Sequence, residues 1–197
     1  MSDLLTKRAL ERLDAVLQAG QGPTAWGLLN PGISISQIRD AVASQGLPCS
    51  PELEALYEWH DGTSGAGSGP ALLGDMWLLP GFYLPSLDEA VTNYAVFRKD
   101  PRWNPNWFPV FADGGGDFYV IDFGNAPSRF VRHFRLEESE HPVEYRSLAA
   151  MIDTFAAAFE SGAIFVDETG YVDVDDEAFN IVAARLNSDI PWWADSM

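Results

Sequence analysis

The sequence predicts an α+β fold, a mostly antiparallel sheet built on a central hairpin and flanked by helices. Three observations carry that expectation. First, Trp107 to Asp122 (WFPVFADGGGDFYVID) sets two apolar runs around Asp113-Gly114-Gly115-Gly116, the pattern of two strands joined by a glycine turn. Second, both faces of this hairpin are apolar. Trp107 and Phe111 are read as facing one way and Phe108 and Val110 the other, while Tyr119 and Ile121 oppose Phe118 and Val120, so both sides need cover. Third, helical and strand patterns interleave along the chain, and a tight hairpin at their centre favours an antiparallel α+β arrangement over a doubly wound one.

The covering elements follow in order. From Asp3 to Leu17, Leu5, Ala9, Leu10, Leu13, Val16 and Leu17 share one stripe at helical spacing, ended by Gly20-Gln21-Gly22-Pro23. Past Asn30-Pro31-Gly32, Ser34 with Gln37 marks the start of a second helix carrying Ile35, Ile38 and Val42. Ser50-Pro51 opens a third, with Glu52 and Glu54 in the first turn, where the helix dipole favours acids. Leu53, Leu56, Tyr57 and His60 share its inner face, and Gly62 lies just past its end. Gly62 to Asp75 reads as a flexible loop. Trp77 to Tyr83, broken by Pro80-Gly81, reads as an edge strand or bulge. Ser86 to Glu89 forms a capping box before Leu87, Ala90, Val91 and Tyr94. After the hairpin, Arg129 to Arg135 predicts a third main strand. Ser147 caps a helix with Leu148, Met151, Ile152, Phe155 and Phe159 inward, ended by Gly162. Two short strands, Ala163 to Val166 and Tyr171 to Val174, precede a last helix with Phe179, Val182, Ala183 and Leu186 inward.

Length and composition describe an ordinary globular protein. Its 197 residues, 47% of them hydrophobic, suffice to bury roughly 70% of the unfolded surface in one domain. The single cysteine, Cys49, excludes an intrachain disulfide and any metal site of paired cysteines. The opening MSDLLTKRALERLDAVLQ has no basic head followed by an apolar core, and no stretch approaches the ~18 apolar residues of a membrane span. The expected location is the cytoplasm. A net charge of −17 repels phosphate backbones and anionic lipid and attracts basic partners, so neither nucleic acid nor membrane is an expected ligand. The acids crowd the last third, from Glu137 to Glu177.

The order of signals resembles the SUKH superfamily, in its Smi/Knr-type branch of cell-wall synthesis regulators. Leu47-Pro48, then Leu53 and Leu56-Tyr57, then Trp59-His60-Asp61-Gly62, then Ser86 to Ala90, then Trp107 to Asp117 carry the likeness, which runs from about Leu47 to Phe159. Asp61 stands where the family usually has asparagine, keeping a short polar residue able to bond backbone at a helix end. The resemblance implies one α+β domain over 1–197: a core of about 47–160, an N-terminal helical extension (1–46) and an acidic C-terminal extension (161–197). It implies a protein-binding, non-catalytic role without cofactor. Bacterial members look like immunity proteins that neutralise a toxin, and fungal members act as regulatory scaffolds. Trp59, Gly62, Trp107, Pro109, Gly114, Gly115 and Gly116 are then residues that hold the fold.

Residue chemistry alone points to no reaction. Asp113 and Asp117 bracket three glycines, yet two carboxylates supply too few oxygens for a calcium loop, and no metal is expected there. They read as turn residues. Asp173, Asp175, Asp176 and Glu177 read as the charged start of the last helix. His60, His133 and His141 have no metal-ligand spacing, Cys49 has no flanking cation, and Gly65 to Gly69 (GAGSG) lacks the strand-to-helix turn of a serine nucleophile. Trp192-Trp193 read as an extended pair on which one indole lies on the core and the other meets a partner, or both pack across the last helix. The expected partner surface is Asp61, Asp113, Asp117, Asp173, Asp175, Asp176, Glu177, Trp192 and Trp193. The expected partner is a protein, most concretely a basic toxin domain such as a nuclease. The alternatives are a regulatory module with an endogenous partner and a metal-dependent hydrolase using Asp113, Asp117 and a histidine.

Overall fold

The computed structural model describes residues 2–19, 23–64, 72–125 and 129–194. Helix α1 (Ser2–Ala19) buries Ala9, Leu10, Leu13 and Leu17 as its spacing dictates. Leu5 is the exception, at 53% exposure, because burial on this helix begins at Thr6. A single turn of 3-10 helix (Thr24–Leu28) leads into strand β1 (Leu29–Pro31). Helix α2 (Ile35–Ser44) starts with a complete capping box: Gln37 N–H donates to Ser34 Oγ, and Ser34 N–H donates to the Gln37 carboxamide. Helix α3 (Pro51–Trp59) is capped by Ser50, which accepts from Leu53 N–H at 3.2 Å.

Glu52 lies in the first turn as expected, yet it is buried at 3% exposure, and burial pushes its carboxyl above its ordinary value despite the opposing charge of Arg129. His60 closes the helix as its C-cap, its N–H donating to the Leu56 carbonyl, and also begins strand β2 (His60–Thr63), which pairs antiparallel with β1; its Nδ1 lies 2.7 Å from the Asn30 carbonyl. Gly62 accordingly sits within a strand, at φ +79°, where a Cβ would come within 2.3 Å of Ser86 N. The loop Gly62 to Asp75 is seen only at its ends, and Gly65 to Gly69 lies outside the described residues. Trp77 to Tyr83 forms a tight turn with bridges Leu79 to Phe82 and Tyr83 to Ala112 rather than a full strand.

Helix α4 (Leu87–Phe97) precedes the sheet. Only half of its expected capping box forms: Ser86 Oγ accepts from Glu89 N–H, but the Glu89 carboxylate instead accepts from the Tyr83 hydroxyl. Strands β3 (Trp107–Ala112), β4 (Phe118–Asp122), β5 (Val131–Phe134) and β6 (Val143–Tyr145) then form an antiparallel meander in sequential order. Every residue of β3 and β4 is buried, as two apolar faces require. The face assignment needs one correction. The register slips between Pro109 and Phe111, so Val110 is the extra residue of a bulge and Phe111 falls opposite Tyr119, on the face of Phe108 instead of that of Trp107. Pro109 causes no lost ladder bond on its outer side because β3 is the edge strand.

Helix α5 (Leu148–Ser161) covers the Tyr119 face, with Phe155 6.5 Å from Tyr119 and 6.2 Å from Tyr145 between ring centroids. Phe97 and Trp103 cover the other, against Phe118 and Phe134. Helix α5 is buried nearly all round, since α1 packs on it and the C-terminal elements pack against it as well. Those elements are the hairpin β7 (Ile164–Val166) and β8 (Val172–Val174), then α6 (Asp176–Leu186) and a short α7 (Pro191–Ala194). On α6, Val182 and Ala183 are buried, whereas Leu186 is 38% exposed at the last turn, where the chain leaves the helix. Among the described residues no helix is long and apolar enough to cross a membrane.

The interior position of α1 predicts that Leu13→Ala costs about 2–5 kcal/mol in a single cooperative transition on chemical denaturation. A free-standing N-terminal helix would leave that transition unmoved. Buried Glu52 holds its proton more tightly in the folded state than in the unfolded chain. Its contribution to stability is therefore present below its ordinary pKa of 4.5 and withdrawn as the pH rises through and above that value. Glu52→Gln is expected to raise the melting temperature near pH 7 and to lose the advantage near pH 4, as read by thermal melts at both pH values.

Candidate functional site

The turn between β3 and β4 is the part of the central hairpin that reaches water. Gly114 and Gly115 are exposed, and Gly114 (φ +84°) and Gly116 (φ +116°) take backbone conformations that favour glycine. Asp113 holds the turn in shape. Its Oδ1 accepts from the N–H groups of Gly115, Gly116 and Asp117 at 2.7, 2.9 and 2.8 Å. Asp117 Oδ1 accepts from Leu136 N–H at 2.8 Å and ties the return strand to the segment after β5.

A depression lies on each side of this glycine ridge. One, of about 500 Å³, is walled by Leu73, Trp77, Phe82 and His133 and edged by Asp113 and Asp117. The other, of about 340 Å³, is lined by Tyr83, Glu89, Asn93, Phe97 and Phe118. His133 is held in the first by its surroundings. Its ring lies 4.9 Å from that of Tyr119 and 5.5 Å from that of Phe82, and its Nδ1 is 3.1 Å from Glu144 Oε1. Glu144 is the extra residue of a second bulge, on β6, which lets its buried carboxylate also accept from the Tyr119 hydroxyl at 3.2 Å.

The structure therefore brings Asp113, Asp117 and a histidine, His133, to one depression. Each aspartate is engaged with backbone N–H groups, and among the described residues no group of three or more His, Cys, Asp or Glu is arranged to hold a metal ion. The other candidates lie apart. Asp61 Oδ1 accepts from Leu87 N–H at 2.8 Å and fastens β2 to the start of α4. Asp173, Asp176 and Glu177 are exposed. Asp175 is also exposed but has a structural duty as the N-cap of α6, accepting from Ala178 N–H at 3.0 Å. The tryptophan pair lies on a short helix, not an extended segment. Trp193 is buried and donates from Nε1 to the Glu144 carbonyl, while Trp192 stays 40% exposed beneath the Arg135 guanidinium.

Other reactive groups are quiet. Burial pushes the Cys49 thiol up to about 11, away from nucleophilic use. His141 Nδ1 accepts from Arg135 N–H, and burial, then Arg102 and Arg135, hold its ring below the ordinary value. Charges divide unevenly between inside and outside. Lys7, Arg12, Arg39, Arg102, Arg132 and Arg146 all sit in ion pairs with acids of the same chain, so internal pairing occupies many of the few cations and leaves a surplus of carboxylates outward.

A family model described as SMI1 / KNR4 family (SUKH-1) matches residues 32–158. The chain belongs to that family. None of the curated proteins compared with it matches. The SUKH-1 region runs from just before α2 to the last turn of α5, and so contains the Trp59 to Gly62 segment, the glycine ridge and both depressions. Helix α1 and everything after α5 lie outside it. SUKH-1 domains are generally non-catalytic and bind protein partners in immunity or regulatory roles. Sequence reasoning missed the walls of the larger depression. Trp77 and Phe82 were visible as an aromatic run broken by Pro80-Gly81, but nothing local connects that run to His133.

Asp113 should prove to be the acceptor that shapes the ridge. Asp113→Ala is expected to cost about 1–3 kcal/mol in urea denaturation, by orphaning three N–H groups, while Asp113→Asn, which retains an acceptor, stays near the wild type.

Proposed function

We propose that this SUKH-1 protein neutralises a basic bacterial toxin domain by binding it, in the cytoplasm, as an immunity protein. The observation that supports the reading is the charge: −17 overall, with many cations paired internally, the acids of β8 and of the first turn of α6 exposed, and those of the glycine ridge half-buried. Such a field accelerates encounter with a cationic partner and repels nucleic acid. The surface that meets the partner combines Asp113 and Asp117 at the ridge, Asp173, Asp176 and Glu177 at the C-terminal hairpin and helix, and the exposed ring of Trp192. Asp61, Asp175 and Trp193 serve it indirectly, by holding the elements that present these groups.

Co-expression with a toxin domain found encoded beside its gene would test the role. Restored growth is expected; no rescue, together with stable association with a housekeeping protein, would transfer the chain to the regulatory branch of the family. The charge reversal Asp173→Lys with Asp176→Lys and Glu177→Lys spares the cap at Asp175. By stopped-flow mixing with the toxin domain it is expected to slow association about tenfold at low salt, with the difference closing as salt rises. Equal association rates for variant and wild type across the salt series would remove electrostatic steering by this segment.

A further inference from the structure

The larger depression beside the glycine ridge has features that a solvated fold surface does not need. Leu73 is 42% exposed at its rim and its neighbour Leu72 is 65% exposed, beside the aromatic walls of Trp77 and Phe82. The polar nitrogens of those walls, Trp77 Nε1 and His133 Nε2, are buried, so the walls present ring surface. The lining contains two carboxylates, Asp113 and Asp117, and neither lysine nor arginine. In both aspartates Oδ1 takes the backbone N–H groups, while Oδ2 takes no hydrogen bond among the described residues. Between them lie Gly114 and Gly115, with the Leu73 side chain packed beside Gly114 and the Asp113 carboxylate beside Gly115.

These features select a chemistry. Two carboxylates at the edge of an aromatic depression match a guanidinium, whose planar fork pairs with carboxylates and stacks on aromatic rings. The exposed leucines take an apolar side chain beside the cation. Resting on the reading of the chain as a binder of a basic protein, we propose that this depression is the docking pocket for an arginine on an exposed loop of that partner. The guanidinium lies between Asp113 and Asp117 against the rings of Trp77 and Phe82, and the residue next to the arginine packs on Leu73. The acidic C-terminal segment then steers the partner at long range, and the depression fixes its orientation.

The probe is an acetylated, amidated glycine-arginine-leucine peptide, with glutamate in place of arginine as the control. It is titrated to about 10 mM while ¹H–¹⁵N chemical shifts are followed, because a single side-chain contact is worth a millimolar affinity. The arginine peptide is expected to shift the amides of Gly115 and Gly116 and the indole N–H of Trp77, and the glutamate peptide to shift none of them. Asp113→Asn with Asp117→Asn keeps the acceptors that hold the turn and removes both charges. It is expected to weaken the arginine peptide about tenfold while the melting temperature stays unchanged. No shifts, shifts gathered at Asp173 to Glu177, equal response to both peptides, or an unaltered affinity in the asparagine pair would each overturn the proposal. The two readings fail separately. Growth rescue without peptide binding would retire this pocket and leave the neutralising role, whereas peptide binding without rescue would retire the role and leave the pocket.

Discussion

A strand pair with no wet face governs this structure. All of β3 and β4 is buried, so their side chains cannot be satisfied by water and the rest of the chain is arranged to enclose them. Helix α5 closes one face through Phe155 against Tyr119 and Tyr145, and the segment from Phe97 to Trp103 closes the other through Phe118 and Phe134. The buried carboxylate that enters this interior from β4 comes already paired. Asp122, nearly fully buried, accepts from Arg132 Nε at 2.7 Å and from Gly124 N–H, and the Arg132 guanidinium lies 5.6 Å from the centre of the Trp107 ring. Removing one member of such a pair would leave a buried charge alone, so the pair constrains how β4 and β5 register more than it adds to net stability.

That enclosure also decides where the molecule can meet anything else. With both faces covered, the central hairpin reaches water only at its turn, and the turn needs an aspartate and glycines for reasons of backbone geometry alone. The same residues supply negative charge and an absence of side chains at one edge. Structural need and exposure to water thus coincide at Asp113 to Asp117. Some C-terminal acids share this duty, Asp167 holding the turn between β7 and β8 and Asp175 capping α6, whereas Asp176 and Glu177 take no hydrogen bond among the described residues.

Much of this was legible in the sequence because it is local. Ser34, Ser50, Ser86 and Ser147 each cap the helix that follows them, since a cap and its target N–H lie within three residues. The hairpin showed in its composition, and the family in the order of its blocks. Features set by distant partners were not legible. Strands β1, β2 and β6 are three or four residues long and become strands only through the chain beside them. The bulge at Val110 moves Phe111 to the opposite face without any mark in the residue types. Glu52 looks like a dipole-favoured acid until packing closes over it. The larger depression gathers Leu73, Trp77, Phe82, Asp113 and His133 from four separate stretches, so its shape exists only in the folded chain.

The placement of α1 has a consequence for how the protein is made. Arg12 bridges to Asp153 and Glu160, 141 and 148 residues further on, and the leucines of the first helix pack on α5 near the far end of the chain. During synthesis the amphipathic first helix leaves the ribosome well before its partner exists. Its apolar stripe has to wait, exposed or loosely sheltered by α3, until the last third of the chain emerges. Completion of the core is thereby tied to the emergence of α5, and a product truncated before it would carry an uncovered greasy helix that marks it for chaperones and proteases.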